Sequence, residues 1–456
     1  MRMTRLSLLL SVPVLGFMLG CSSGGSTGGP TPTPLPPPTS VSYGSAQVIL
    51  QMGNVASIAP PTVGGGAPTT FTIAPALPTG LALNATSGAI SGTPTAATAY
   101  LVSYTVSASN TGGSASGTLK LAVNAVPTLT WTAQANSAFL ISYASAALLA
   151  NGQAFVFGVY GAGIFDPSTN TWSTAPGPTS LADAAAITLS SGKILTTGGY
   201  GPNPVSSCQV FDPGPKTWAT VASMTVVRAR HTATLLANGK VLVVGGVSTS
   251  FVEVGSAELY DPVANTWTSA GSIPPRKNHT ATVLADGRVL VSGGWIESQG
   301  LGLTDCRIFD PVASTWSTTA ALPLPRGFHG SIRLASGKVL VAGGGSNPFP
   351  GPECFLFDPG AGTWSTTGSL PALQISQPGL GMLATGKVLI AGGEIGGVGP
   401  GTSAVYDPVA GTWQAAGTHA NAVYAHTMVM LANGKALLLG GRNGQNSGFF
   451  SAELFW

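Results

Sequence analysis

The 456-residue chain carries a net charge of +3, and only 7% of its residues are charged, against roughly 25% in ordinary soluble proteins. That leaves no basic patch for nucleic acid, while 44% hydrophobic content is too high for a disordered polymer. Gly 63 and Pro 35 supply about a fifth of the chain, well above the usual share, which favours many short strands joined by turns. The first acidic residue is Asp166, and Lys120 is the one basic residue between Arg5 and Lys193. A surface so poor in charge must be solvated by Thr, Ser, Asn and backbone, as in extracellular β proteins.

Arg2 and Arg5 precede the apolar run Leu6–Gly20, which is short of the ~20 residues that cross a bilayer and reads as a signal peptide. Leu19-Gly20-Cys21 resembles the lipobox of bacterial lipoproteins. That resemblance implies acylation of Cys21, export, and a lipid anchor in the outer membrane or at the cell surface, with Ser22 following the cysteine. Residues 22–40 (SSGGSTGGPTPTPLPPPTS) lack apolar periodicity and read as a tether, flexible in its Gly/Ser part and extended in its Pro part.

Residues 41–126 alternate apolar and polar in short runs, at Val48–Leu50, Thr70–Ile73, Leu101–Ala108 and Thr118–Val123, and predict an all-β sandwich. The segments PALPTGLALN (75–84) and GAISGTP (88–94) resemble the immunoglobulin-like domains of bacterial surface proteins. The stretch contains no Asp or Glu, which excludes a calcium site of the usual hard-oxygen kind and leaves a spacer or adhesion-type module.

From residue 127 onward the chain repeats. Asp166, Asp212, Asp261, Asp310, Asp358 and Asp407 each precede Pro, and each is followed six residues later by Trp172, Trp218, Trp267, Trp316, Trp364 or Trp413. Within one unit, a strand ends at an Asn238-Gly239 hairpin, and the wholly apolar strand Val241–Val244 ends at Gly245-Gly246. A third strand, Ala257–Tyr260, leads through the Asp-Pro turn to a fourth carrying Trp267. Repeated four-stranded units of this length predict a β-propeller, and the pattern resembles kelch repeats. Ser451–Trp456 matches a third strand without a fourth, and Thr128–Trp131 matches a fourth strand without a third. Joining them predicts seven blades closed by residues 128–132.

The repeat sorts the candidate residues. His231, His279, His329 and His426 share one position, so they read as blade construction before metal ligation. Cys208, Cys306 and Cys354 share a small buried slot, which predicts free thiols. In a four-stranded meander the tight hairpins share one face and the longer, divergent loops the other. On that variable face the expected ligand contacts are Trp295, Tyr200, Arg228, Arg276, Arg326, Glu297, Glu394 and Arg442. Trp295 offers a stacking surface for a sugar, with Glu297 and Glu394 as hydrogen-bonding partners. The expectation is therefore a monomeric surface protein that binds glycan or protein, with no nucleic acid partner, no metal, no cofactor and no catalytic residue. The alternative is a propeller enzyme acting on sugars, either a copper oxidase like galactose oxidase or a sialate epimerase. Galactose oxidase resemblance implies two Tyr, two His and a Cys–Tyr cross-link; this chain has no Tyr-His dipeptide, and Tyr424-Ala425-His426 is one residue out of step.

Overall fold

The computed structural model describes residues 35–98, 101–124, 129–158, 160–178, 182–345, 351–371, 376–394, 401–420, 424–442 and 448–456. The leader, Cys21 and most of the expected tether lie outside these residues. So do parts of the loops 345–353, 394–402 and 442–451.

The first unit is a sandwich. One sheet runs in the order Gln47–Gln51, Gly113–Asn124, Val102–Asn110 and Thr70–Ala74. Ala56–Ile58, Ile90–Gly92 and Leu81–Leu83 form another, and Pro38–Ser42 pairs with Thr62–Gly65. Phe71, Ile90, Val106, Ala108 and Leu119 fill the space between them. Tyr43 is buried with its hydroxyl donating to the Gly88 carbonyl at 2.7 Å. Pro38, Thr39 and Ser40 thus belong to the sandwich, which corrects the tether boundary at residue 40. A proline is tolerated as the first residue of an edge strand because its missing N–H is not needed there.

The rest of the described chain forms seven further four-stranded sheets. Five are meanders of consecutive strands, and a sixth has the small hairpin Trp295–Ile296 and Leu301–Gly302 inserted between its second and third strands. The seventh joins Thr427–Met430, Ala436–Leu439 and Ala452–Phe455 to Trp131–Gln134, with Trp131 opposite Phe455. The first strands touch in a cycle, from Ser145–Leu148 through Ala185–Thr188 and onward to Thr427–Met430, which lies against Ser145–Leu148 again. Second strands such as Val241–Val244, Val339–Ala342 and Val388–Ala391 are buried at every residue, since neighbouring sheets cover both faces.

The tryptophans tie each sheet to the one before it. Trp267 Nε1 donates to the Ala222 carbonyl at 2.7 Å, Trp316 to Ala270 at 2.7 Å and Trp364 to Ala320 at 2.9 Å. Each also lies against its own third-strand aromatic, as Tyr260–Trp267 and Phe309–Trp316 do with ring centroids 5.0 Å apart. Such pairs contribute about 0.5–1.5 kcal/mol beyond the area they bury. The tryptophan rings are half-buried at the sheet margins, whereas their aromatic partners Tyr260 and Phe309 are fully enclosed.

The sandwich rests on the tight-hairpin side of the propeller. Gln47 Nε2 donates to the Ala432 carbonyl at 3.0 Å and Lys120 Nζ to the Ala150 carbonyl at 3.3 Å. Buried Asn124 adds a bond to the Asn433 carbonyl. The divergent loops are therefore on the side away from the sandwich.

Candidate functional site at the axial mouth

The residue before the recurring histidine position is where the seven sheets converge. It is Tyr143, Asp183, Arg230, Asn278, Phe328, Gln377 or Ala425, and all seven have φ between 50° and 58°. L-residues enter this left-handed region at a cost of about 1–2 kcal/mol each. Elsewhere in the propeller it is occupied by turn residues such as Asn170, Asn265 and Ser314. Around the axis it holds Tyr, Arg and Phe, and backbone bonds between neighbouring sheets offset the strain. The N–H groups of Arg230, Asn278, Phe328 and Gln377 donate to the carbonyls of Asp183, Arg230, Asn278 and Phe328 at 2.8–3.3 Å, and that of Tyr143 donates to Ala425 at 3.1 Å.

Six of these side chains line a cavity of about 340 Å³, with His279, His329 and Pro378 completing its wall. Arg230 Nε and Asp183 Oδ2 meet at 2.9 Å. Burial works against the Arg230 charge, but Asp183 outweighs it and holds the guanidinium above its ordinary pKa. Desolvation raises the pKa of Tyr143 and of Tyr200, so both are neutral phenols at neutral pH. Asn278 Nδ2, Tyr200 Oη and the Nδ1 atoms of His279 and His329 are buried without a partner among the described residues.

A second ring lies just outside the first. Tyr200, Trp295, Glu394 and Arg442 each follow a Gly-Gly pair and bridge to the residue two before the histidine position, at Ala182, Lys277, Ser376 and Tyr424. Four residues singled out from sequence thus share one place at the mouth. Arg442 lies 5.2 Å over the Tyr143 ring, Arg230 5.9 Å over Tyr200, and Trp295 packs against Phe328 at 5.8 Å. Glu297 instead meets Lys277, a residue the sequence did not flag. Lys277 is 2% exposed, with Nζ 2.7 Å from Glu297 Oε2 and 3.3 Å from Glu253 Oε1. The Glu297 carboxyl is held below its usual pKa by that bond, and the cluster fastens the loops 247–256 and 295–305 together.

Arg228, Arg276 and Arg326 are corrected to structural roles, for all three are fully buried. Each places Nη1 on the carbonyl of the first glycine of its own Gly-Gly pair, at Gly245, Gly293 and Gly343, and so ties off the loop between strands two and three. Arg228 also meets Glu258 at 2.7 Å and Arg276 meets Asp305, while Arg326 lies 4.9 Å over Phe355.

The histidines link sheets. Nε2 of His231, His279 and His329 lies 2.8, 3.0 and 2.9 Å from the hydroxyls of Thr197, Thr232 and Thr280 on the preceding sheets. Cys208, Cys306 and Cys354 are buried free thiols. Burial pushes them up to about 12, 11 and 11, far from a reactive thiolate.

The architecture has known counterparts. The KLHDC2/KLHL20/DRC7 Kelch-repeats domain model matches residues 184–377, and the model described as "Putative Ig domain" matches residues 30–124. The chain carries a kelch-repeat domain and an N-terminal immunoglobulin-like domain. Among solved structures, the kelch propeller is similar to a fungal alcohol oxidase of the AA5 family in complex with copper. That match has a TM-score of 0.60 and 17% identity, over 72% of this chain and 76% of that one. A structure titled "Structure of YjhT" matches with a TM-score of 0.50 and 14% identity, over 62% of this chain and 99% of that one. No curated protein matches the chain. At these identities the likeness concerns the fold. A copper centre of the galactose oxidase kind needs tyrosine and histidine donors converging on one point. Among the described residues no three of His, Cys, Asp and Glu converge, and three of the kelch imidazoles already have Nε2 on a threonine. No step through copper follows from this arrangement.

Proposed function

We propose that this kelch-repeat protein binds carbohydrate, with the ligand seated at the axial mouth. One observation carries the reading: the buried, unpartnered Nδ2 of Asn278 belongs to a cavity lined by the Tyr143 and Phe328 rings, and Tyr200, whose buried Oη is also unpartnered among the described residues, lies beside it under Arg230. Sugars present that combination, apolar faces that stack on rings and hydroxyls that satisfy amides and phenols. Each sheet contributes a different side chain to the ring, so the mouth is asymmetric and suited to one orientation of a small ligand. The test is a glycan array probed with wild type, Asn278→Ala and Phe328→Ala. Each variant is expected to lose at least about tenfold in affinity, the size of one lost polar or aromatic contact. Variants that bind like wild type would sink the assignment of the mouth.

The same proposal includes export and a lipid anchor on Cys21, supported by the Leu19-Gly20-Cys21 motif. Labelled fatty acid should enter the wild type and not Cys21→Ala; equal label in both would remove the anchor from the proposal.

A further inference from the structure

The mouth does not end at the ring. Arg230, paired with Asp183 at the axis, lies over Tyr200, and Tyr200 stands beside Phe251 with ring centroids 6.4 Å apart and planes tilted by 34°. Phe251 is 64% exposed and its neighbour Val252 61%, at the tip of the loop 247–256. The backbone there is left-handed at two successive non-glycine residues, Ser250 (φ 66°) and Phe251 (φ 59°). An exposed phenyl group held out on a strained backbone incurs both a hydration cost and a conformational cost. The loop is nonetheless firmly based. Ser248 N donates to the Val252 carbonyl at 2.8 Å, and Glu253 is tied to buried Lys277.

We propose that the binding site continues outward from the axis over Tyr200 to Phe251, as a radial track for an oligosaccharide of neutral sugars. This rests on the carbohydrate reading of the mouth. The spacing of the three stations suits successive rings of one chain, and Tyr200, the middle station, has its buried Oη without a partner among the described residues. Charge selects the class of sugar. Among the described residues the two cations beside this track are paired with carboxylates, Arg230 with Asp183 and Lys277 with Glu253 and Glu297, and so are ill placed to hold a uronate or sialate.

The experiment measures affinity by calorimetry for glucose, galactose and mannose, for the linear di-, tri- and tetrasaccharides of each, and for a galacturonate series of the same lengths. For at least one neutral series affinity should rise with length. Phe251→Ala should then lower affinity for the tri- and tetrasaccharide about tenfold, leave the monosaccharide unchanged, and be rescued by Phe251→Trp. Because the side chain is exposed, these variants are expected to fold; circular dichroism checks this. Length-independent affinity, or equal oligosaccharide binding by Phe251→Ala, overturns the track while leaving the axial site intact. Tighter binding of galacturonates overturns the neutral class. Absence of binding by every sugar overturns the carbohydrate reading together with the track.

Discussion

Arg228 and Glu258 form an ion pair with side chains 0% and 3% exposed. The Glu258 carboxylate also accepts the Thr225 and Val226 N–H groups and the Thr225 hydroxyl. Both charges are stable in the core because the carboxylate and both terminal guanidinium nitrogens are matched, Arg228 Nε alone lacking a partner among the described residues. Glu258→Gln is therefore expected to cost about 3–5 kcal/mol, since it strands a buried guanidinium. Urea unfolding measures it, and a loss below about 1 kcal/mol would contradict the account. The arginine position was visible in the repeat, but its direction was not: an Arg beside a variable loop reads as a ligand contact until its carbonyl partners are seen. The ring residues escaped for a different reason. Their positive φ has no compositional sign, because Tyr, Arg and Phe are not residues that mark left-handed backbone. What could have exposed them is their divergence, since Tyr143, Asp183, Arg230, Asn278, Phe328, Gln377 and Ala425 fill one register position with unlike chemistries.

Elements were far more legible. The strand Val241–Val244 and its neighbours lie where the apolar run and the Asn-Gly turn put them, because period and turn chemistry act locally. The partners of the Gly-Gly pair explain the need for two glycines. A Cβ on Gly245 would stand 2.6 Å from the Arg276 carbonyl oxygen of the next sheet, and one on Gly246 would stand 2.6 Å from the Ala229 carbonyl oxygen of its own. One glycine admits the next sheet and the other the start of its own first strand. Pro38–Ser40 failed for the opposite reason: a strand held by backbone pairing to Gly64 and Gly65 leaves no apolar alternation to read.

Across the whole molecule the buried histidines set the response to acid. Burial, followed by the charge of Arg228, pushes His231 down to about 3; burial and Arg326 do the same to His329. His426 falls to about 4 through burial and His419, and His279 lies well below its ordinary value through burial and Arg276. In the unfolded chain these imidazoles take up protons near pH 6.5, whereas the folded protein refuses them. Their stabilisation is complete above about pH 6.5 and is lost as pH falls toward about 3, by up to about 1.4 kcal/mol per histidine for each pH unit. The Asp-Pro carboxylates, such as Asp261 and Asp310, have pKa values lowered by backbone N–H groups, so their contribution is lost only below about pH 4. Melting temperature should hold steady above about pH 6.5 and decline below it, with a shallower decline in His279→Asn. A profile flat down to about pH 4 would remove the histidines from this role.

The sheet that joins Trp131–Gln134 to Ala452–Phe455 also sets a timetable. Its partner strands are separated by 322 residues at the Thr132–Leu454 pair. At synthesis rates of about 5–20 residues per second, the earlier strand waits roughly 15–65 s before the later one exists. Through that interval its open edge is a template for any passing strand, in the same chain or another. The last pairing to become possible is the one that closes the ring, so a nascent chain must be kept from foreign edges until its own arrives.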